Sequence, residues 1–391
     1  MLGPVRIIGR KLLGVAALTT LTVAAACVSG AGAIADGEMP AEIKVVSVTD
    51  HTGISAYVGN SQFEGIELAV QEINEQGYLG DSKLVLQKRD SASDTQTAVS
   101  QSIQTIADGS VSAFLGPVLS PHAVAVAPLV ERAELPTIFT QAGSEGVVIG
   151  DYTYRATAPM ETYFAKSLAR LRDEGAKTVS VLYNAGNVTL AALGEKMIPD
   201  AQDEFGYRVL SSTSVQSTTQ DFGTTATRIA EEKPDAVIVL LVGAGNSTAM
   251  SQLRQAGYDG PVVGNPAAGA GNLASAGPAG AGMFWATDFN FHQTPPSSQE
   301  FVEAYRARYG TDPLNYAAEG YDATWMIARA IESAGGASRE DIQRGLQQVV
   351  SEGFEGALGN VWFVGNDMRV DGVMVEWDGS EEVLLAEGSS E

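Results

Sequence analysis

Ser120 and His122 lie close together in the stretch "AFLGPVLSPHAVAVAPLV", directly after an apolar run that predicts a β-strand. A serine beside a histidine suggests nucleophilic catalysis, in which the imidazole accepts the hydroxyl proton. On a helix, however, a spacing of two residues turns the two side chains about 200° apart, so they would not hydrogen-bond. A serine hydrolase with His122 as its base is therefore disfavoured.

The same stretch is also typical of a binding turn. Gly116 and Pro117 would form the turn after the strand, and Pro121 suits the first position of a helix because it lacks an N–H group. Ser120 would then be the N-cap residue. Its hydroxyl and the free N–H groups of the first helical turn would bind an anion or a carbonyl group at the carboxyl end of a parallel strand. The alternative is that Ser120 only caps its helix.

Other catalytic machinery is scarce in this sequence. The three histidines, His51, His122 and His292, are far apart and have no metal-ligand spacing. No phosphate loop, dinucleotide-binding glycine pattern or nucleophile elbow is present. We therefore expect no enzyme, no catalytic residue, no metal and no cofactor. The net charge of −23, with no basic run, also argues against nucleic acid as a partner.

The amino terminus is typical of a secretion signal. Three basic residues precede an uncharged apolar stretch, Leu12 to Ala26, which is short for a membrane span. Residues 1–26 are the predicted signal peptide. Cys27, the only cysteine, follows small residues as in a lipoprotein processing site, and residues 27–41 would be a flexible tether. The alternative is ordinary cleavage after Ala35.

The elements that would position Ser120 alternate between strands and amphipathic helices. Short apolar runs such as "IKVVSV" and "VSAFLG" alternate with helical stripes, and Asp94 is the expected N-cap of one helix. The alternation of strands and helices starts again at about Glu161, which indicates two α/β units with parallel sheets. Residues 265–282 are predicted as loop. The run "VWFVGNDMRVDGVMVEWDG" predicts a closing antiparallel hairpin.

Ordered motifs along the chain resemble one known family. They are "EINEQGYLG", "RDSASDTQTAV", "FLGPVLS", "AEGYDATWMIARAI" and "GALGNVWFVGNDMRV". Together they resemble the leucine/isoleucine/valine-binding branch of type I periplasmic solute-binding proteins, the receptors of ABC importers. The resemblance covers nearly all of the chain after the leader.

The resemblance implies an α/β fold with two doubly wound parallel-sheet lobes, joined by three hinge crossings. The crossings are expected near Ala156 to Pro159, near Thr287, and near Glu355 to Gly359. Lobe 1 would then comprise residues 42–157 and 287–356, and lobe 2 residues 158–286 and 357–388. A hinged cleft of this kind closes on its ligand.

The resemblance also implies site residues. Ser120 matches the family position that holds the carboxylate or amide head of the ligand. The loop "TQAGS" matches a second contact stretch, which makes Gln141, Ala142 and Ser144 candidates, and a shift of one residue would exchange Gly143 for Ser144. Further candidates, from either lobe, are Tyr57, Asn246 and Trp285; Tyr183 is another nearby aromatic residue.

Two departures from the family pattern concern the ligand's ammonium group. Amino-acid binders commonly have a tyrosine where this chain has Val188, and a glutamate where it has Gly245 or Asn246. The absence of both the tyrosine and the glutamate disfavours an α-amino acid as the ligand, unless Asp288 or Glu319 supplies a carboxylate from another segment. Ligands without a free ammonium are therefore expected to bind at least as well as leucine.

The expected function is that of an extracytoplasmic solute-binding subunit of an ABC importer. Its ligand would be a branched-chain amino acid, an aromatic or organic acid, or a short amide. The expected partners are this ligand and the permease subunits, with membrane contact only through a lipid anchor at Cys27. The protein would act as a monomer in the periplasm or at the cell surface. The alternative is a ligand-sensing receptor that signals to a partner protein.

Overall fold

A computed structural model describes residues 34–144, 146–269 and 271–385 of the chain. The predicted signal peptide, Cys27 and the first part of the predicted tether lie outside the described residues. No helix in the described ranges is long and apolar enough to cross a membrane.

The first sheet has eight strands among the described residues. They are β1 (Glu42–Thr49), β2 (Lys83–Asp90), β3 (Val111–Leu115), β4 (Thr137–Phe139), β5 (Thr153–Arg155), β11 (Phe354–Gly356), β12 (Gly359–Val364) and β13 (Asp367–Val370). Their order is β11-β12-β13-β5-β4-β3-β1-β2, and β1 to β5 pair in parallel. The helices of this lobe are α1 (Ala56–Glu75), α2 (Thr95–Ala107), α3 (Ser120–Arg132), α10 (Pro296–Tyr309), α11 (Asn315–Ala334) and α12 (Arg339–Glu352).

The second sheet has seven strands in the described ranges. They are β6 (Thr178–Asn184), β7 (Arg208–Val215), β8 (Ala236–Leu240), β9 (Val262–Val263), β10 (Met283–Thr287), β14 (Val373–Trp377) and β15 (Glu382–Leu384), in the order β15-β14-β10-β9-β8-β6-β7. The helices are α4 (Met160–Asp173), α5 (Val188–Ala192), α6 (Ile198–Asp200), α7 (Gln202–Phe205), α8 (Gly223–Glu232) and α9 (Gly245–Gln255). A π-helical turn, Leu193–Met197, joins α5 to α6.

The predicted α/β class with two doubly wound sheets is confirmed. The apolar runs that predict buried strands are buried throughout in β3 and β8, as expected where helices cover both faces of a sheet. Asp94 caps α2, with its carboxylate accepting a hydrogen bond from the Thr97 N–H at 2.8 Å. Among its described residues, the predicted loop at 265–282 contains two short 3-10 turns, Pro266–Ala268 and Ala274–Gly280, and no longer element. Helix α12 is present in the structure but is not predicted from the sequence.

The chain passes between the two sheets at three places. The first passage follows β5 and the second follows β10. The third lies between β13 and β14, so its predicted position near Glu355 to Gly359 is wrong, and residues 359–370 belong to the first sheet. Two contacts explain this difference: β13 pairs with β5, and Arg155 of β5 forms an ion pair with Asp367 of β13 at 2.8 Å.

The passage after β13 runs close to the end of β10. Gly372 has a positive φ of 66°, and a Cβ at this position would collide with the carbonyl oxygen of Thr287 and the side chain of Tyr163. The predicted closing hairpin is therefore split between the sheets: β12 and β13 pair in the first, and β14 pairs with β10 in the second. The alternation of apolar residues in "VWFVGNDMRVDGVMVEW" does not distinguish these pairings, because both place one face of each strand against a core.

Candidate ligand-binding site

The carboxyl ends of β1, β3 and β4 lie side by side in the first sheet. The loop after β3 leads into α3, and the loop after β4 contains residues 140–144. In an open α/β sheet, ligands bind outside the carboxyl ends of the strands. We call Ser120 together with residues 140–144 the first face.

A glycine at the turn after β3 brings α3 close to β1. Gly116 has a φ of 94°, in the left-handed region that side chains avoid, and a Cβ there would collide with the carbonyl oxygen of Val48. Helix α3 then begins at Ser120, with Pro121 in its first turn. This turn places the hydroxyl of Ser120 at the edge of the sheet.

Ser120 does not cap α3 with its side chain. Leu119 is the N-cap residue, and no side-chain capping bond is present. The predicted N-cap role is therefore wrong, because the helix begins one residue earlier than the pattern suggested. Instead the Ser120 hydroxyl accepts a hydrogen bond from the backbone N–H of Ser144 at 3.3 Å. This bond joins the two predicted contact segments and leaves the hydroxyl proton of Ser120 able to reach a ligand.

Two hydroxyl groups on the loop after β4 are buried without a hydrogen-bond partner among the described residues. They are the Oγ1 of Thr140 and the Oγ of Ser144. A buried hydroxyl without a partner costs free energy, so a bound oxygen or nitrogen atom here would be favoured. Behind the loop, the guanidinium of Arg155 donates to the carbonyl of Ser144 at 3.2 Å. Burial lowers the pKa of Arg155, although Asp367 opposes that effect.

Gln141 and Ala142 point to different surroundings. The side-chain amide of Gln141, with its nitrogen toward α11, donates to both carboxyl oxygens of Glu319, at 2.8 Å from Oε1. Ala142 is fully buried and packs into the apolar core around β3 and α3. Ala142 is therefore available to a ligand only through its backbone. Gly143, the alternative to Ser144 in the predicted contact stretch, lies between them.

The second lobe faces this loop with the segment that begins α5. A Cβ on Gly143 would lie 3.7 Å from the Oγ1 of Thr189, which is ordinary van der Waals contact. Asn187 caps α5 by accepting from the N–H groups of Thr189 and Leu190, both at 3.1 Å. Val188, at the predicted tyrosine position, is 64% exposed. We call residues 184–189 and 242–246 the second face.

Asn246, a predicted ligand contact on the second face, is fully buried. Its amide nitrogen donates to the carbonyl groups of Leu241, Gly243 and Ala267, at 3.1 to 3.3 Å. These bonds hold the loop after β8 in place through the amide nitrogen, whereas the amide oxygen, Oδ1, is buried without a hydrogen-bond partner among the described residues. Gly245, the neighbouring position, begins α9 and carries no side chain.

Tyr57 and Trp285, the two predicted aromatic contacts, line one cavity of about 50 Å³ between the lobes. Tyr57 is 57% exposed and meets Tyr316 edge to face, with ring centroids 6.0 Å apart. Trp285 is almost fully buried on β10. Phe289 also lines this cavity, which is therefore suited to an apolar or aromatic group. Tyr183, the other nearby aromatic residue, is buried and donates a hydrogen bond to Glu195 at 3.0 Å.

His122 and Ser120 do not hydrogen-bond to each other, as expected. The imidazole of His122 is buried, with its Nδ1 4.0 Å from the Oδ1 of Asp50 and without a hydrogen-bond partner in the described ranges. Burial lowers the pKa of His122, and the carboxylates of Asp50 and Asp94 partly oppose this. Across the described residues, no cluster of three or more His, Cys, Asp or Glu side chains could hold a metal ion.

Sequence reasoning missed most of the residues that support the first face. Arg155 donates to its loop from behind, whereas Thr157 and Tyr316 lie beside Glu319, to which Gln141 bonds, and no motif marks these three residues. Glu319 could have been recognised as a buried group, because it shares a helical stripe with Ala323 and Met326, and an acidic residue on an apolar face needs a partner. Its partner on another element could not have been predicted from spacing.

Comparison with known proteins gives concordant results. A family model described as "Periplasmic binding protein" matches residues 42–379. The Leu/Ile/Val-binding protein homolog 7 of Brucella melitensis is 25% identical over 366 residues, covering 88% of each chain.

Solved structures match over a similar range. A leucine binding protein from Thermotoga maritima superimposes with a TM-score of 0.76 at 25% identity, covering 88% of this chain and 98% of that one. A solute binding protein of an ABC transporter from R. palustris, in complex with benzoate, superimposes with a TM-score of 0.74 at 21% identity, covering 88% and 95%.

Proposed function

The chain belongs to the periplasmic binding protein family, and on that premise we propose that it is the extracytoplasmic solute-binding subunit of an ABC importer. It performs no chemistry on its ligand. It holds a small solute with a carboxylate or amide head between its two lobes and delivers it to permease subunits. The benzoate-bound relative is described as the solute binding protein of an ABC transporter, which favours transport over the alternative of a signalling receptor.

The observation that carries the proposal is the set of hydroxyl groups on the first face. Ser120 joins the loop after β4 through Ser144, while Thr140 and Ser144 each have a buried hydroxyl without a partner among the described residues. Hydroxyl donors that converge at the carboxyl ends of parallel strands suit a carboxylate or an amide carbonyl. The head of the ligand would bind here, and its body would extend toward Tyr57 and Trp285.

The described carboxyl groups near the cleft support a ligand without a free ammonium group. A desolvated ammonium requires a carboxylate partner. Glu319 accepts a hydrogen bond from Thr157 at 2.8 Å, Asp288 from Thr287 at 3.2 Å, and Glu382 from Asn290 at 2.9 Å. These groups are therefore engaged within the protein, and Val188 and Gly245 supply no substitute.

The relatives cover both ligand classes. They include Leu/Ile/Val-binding protein homologues and solved structures in complex with isoleucine and with benzoate. For this chain we favour organic or aromatic carboxylic acids and short amides, with branched-chain amino acids as the second class. The aromatic lining of the cavity beside Tyr57 suits the apolar body of either class.

The remaining parts of the proposal concern location and partners. We propose export across the cytoplasmic membrane, a periplasmic or cell-surface location, a lipid anchor at Cys27 and action as a monomer. The basic start, the apolar stretch and the small residues before Cys27 support export and anchoring. Mass spectrometry of the mature amino terminus distinguishes acylated Cys27 from cleavage after Ala35.

A thermal-shift panel tests the function. Amino acids, organic acids, aromatic acids and amides are each added to the purified protein, because a ligand that binds only the folded state raises the melting temperature. We expect stabilisation by carboxylates or amides, and compaction by small-angle scattering when the best of them is saturating. An unchanged radius of gyration at saturation would contradict a receptor that closes on its ligand.

A further inference from the structure

Two carboxyl groups meet where the chain passes between the lobes. Asp288 is the first residue after β10, at the start of the second passage, and Glu319 lies on α11 of the first lobe. Both are fully buried, with exposures of 1% and 0%. Each carboxyl group acts directly on the other, which places the two within hydrogen-bonding reach. Two carboxyl groups so close together form a hydrogen bond only when they share a proton.

The pair is connected to both passages and to the first face. The hydroxyl of Thr157, on the first passage, donates to the Oε1 of Glu319 at 2.8 Å. The hydroxyl of Thr287 donates to the Oδ1 of Asp288 at 3.2 Å. Gln141, on the first face, donates to Glu319 as well. One carboxyl pair therefore joins the binding loop to two of the three connections between the lobes.

The environment of the pair favours the shared proton. Burial raises the pKa of both groups, well above the usual range for Glu319, and the charge of Asp288 raises it further. The other titratable groups that face the pair are the phenols of Tyr163 on α4 and Tyr316 on α11, and Glu161 acts on Tyr163. These phenols have pKa values raised by burial, so they add no positive charge that would stabilise two carboxylates.

We propose that Glu319 is a positioning residue: by sharing a proton with Asp288 it holds the two passages together and orients Gln141 on the first face, so that closure on the ligand depends on this proton. The coupling to the ligand rests on the proposed function. Loss of the proton would place two like charges side by side at the hinge. That repulsion would disfavour the closed arrangement, and the affinity for a ligand falls when its binding-competent state is less populated.

The pH dependence has a definite sign. An acid whose folded pKa is raised stabilises the fold fully below its unfolded pKa, and this contribution is lost as pH rises toward the folded pKa. The melting temperature of the ligand-free protein should therefore fall on the alkaline side. Glu319→Gln, which keeps the shape and can donate to Asp288, should flatten that fall. Asp322, whose burial raises its pKa to about 7, leaves a residual slope in both proteins.

The decisive comparison is between wild type, Glu319→Gln and Glu72→Gln. Glu72 on α1 is a half-buried acid bonded to Tyr321, and burial also raises its pKa, so it is a matched control away from the hinge. Melting temperatures without ligand and calorimetric affinities for 4-methylpentanoate are measured from pH 6 to 9. We expect the wild-type and Glu72→Gln affinities to fall by about tenfold across this range, and that of Glu319→Gln to change little.

Parallel melting profiles of wild type and Glu319→Gln in the absence of ligand would overturn the hinge role. Parallel affinity profiles would overturn its coupling to binding. If none of the panel compounds binds but the melting profiles differ as expected, the proposed function fails while the role of Glu319 at the hinge stands. Glu319→Ala should destabilise the protein at every pH, whereas Glu319→Gln should keep the stability that Glu319→Ala loses.

Discussion

The two faces of the cleft use their polar groups differently. On the first face, Thr140 and Ser144 keep hydroxyl groups without a partner in the described structure, and Arg155 and Glu319 hold the loop from behind. On the second face, the Oδ1 of Asn187 caps α5 and the Nδ2 of Asn246 donates within its own loop, which leaves the Oδ1 of Asn246 buried without a partner in the described structure. The side chains exposed there are apolar, Val188 at 64% and Val242 at 39%.

This difference assigns different tasks to the two lobes. A face with free hydroxyl groups on a supported loop can recognise a polar head before the cleft closes. A face whose amides fix its own backbone can cover the ligand and exclude water without adding a charge. We therefore expect substitutions behind the first face to change affinity strongly, and substitutions on the second face to change mainly stability.

The largest effect is expected for Arg155→Met. The substitution removes the nearer of the two ion-pair partners of Asp367, with Arg369 remaining at 3.9 Å, and leaves the carbonyl of Ser144 without its donor. Losing these contacts should cost about 1–3 kcal/mol of unfolding free energy, and the displaced loop should lower affinity at least about tenfold. Arg172→Ala, which removes an exposed ion pair with Asp173, is the control and should cost less than about 0.5 kcal/mol. Chemical denaturation and calorimetry measure both, and equal effects of the two variants would contradict the supporting role of Arg155.

Ser120→Ala and Asn187→Ala compare the two faces directly. Ser120→Ala removes the proposed hydrogen bond to a charged head, which should cost about 1.5–3 kcal/mol of binding, or about 10- to 100-fold in affinity. Its melting temperature should fall less than that of Asn187→Ala, because the side chain does not cap α3 and its one bond within the protein is the 3.3 Å bond from the Ser144 N–H. Asn187→Ala removes the cap of α5 and should cost about 1 kcal/mol of stability with a smaller loss of affinity. If calorimetry and melting instead show that Asn187→Ala mainly lowers affinity and Ser120→Ala mainly lowers stability, the tasks assigned to the two faces are wrong.

The smallest effect is expected for His122, a buried residue of the first lobe, and it concerns the pH dependence of the melting temperature. Burial lowers its pKa, so its contribution to stability is present above about pH 6.5 and is lost as pH falls through the folded pKa. Between pH 7 and pH 5 the wild-type melting temperature should fall more than that of His122→Gln. Burial also lowers the pKa of His51, which keeps part of the slope in the variant. Identical slopes would show that His122 is not buried in its neutral form.

The fold and the first face could largely be predicted from sequence. Continuous apolar runs between helical stripes predict parallel strands, and residues after β3 and β4 must then share one edge of the sheet. The third passage could not be predicted, because the run around Gly365 suits hairpins on either sheet. Its position depends on the ion pair of Arg155 with Asp367, which joins residues far apart in sequence. The pair of Asp288 and Glu319 depends on tertiary packing in the same way.

Calorimetry with leucine, 4-methyl-2-oxopentanoate and 4-methylpentanoate at pH 7 tests the central claim most directly. The three compounds share a carboxylate and an isobutyl group and differ only at the carbon that carries the ammonium in leucine. If the first face recognises the carboxylate as proposed, and because Asp288, Glu319 and Glu382 already have partners within the protein, the two analogues should bind at least as tightly as leucine. Micromolar binding of leucine without detectable binding of either analogue would show that an ammonium site exists and would contradict this account.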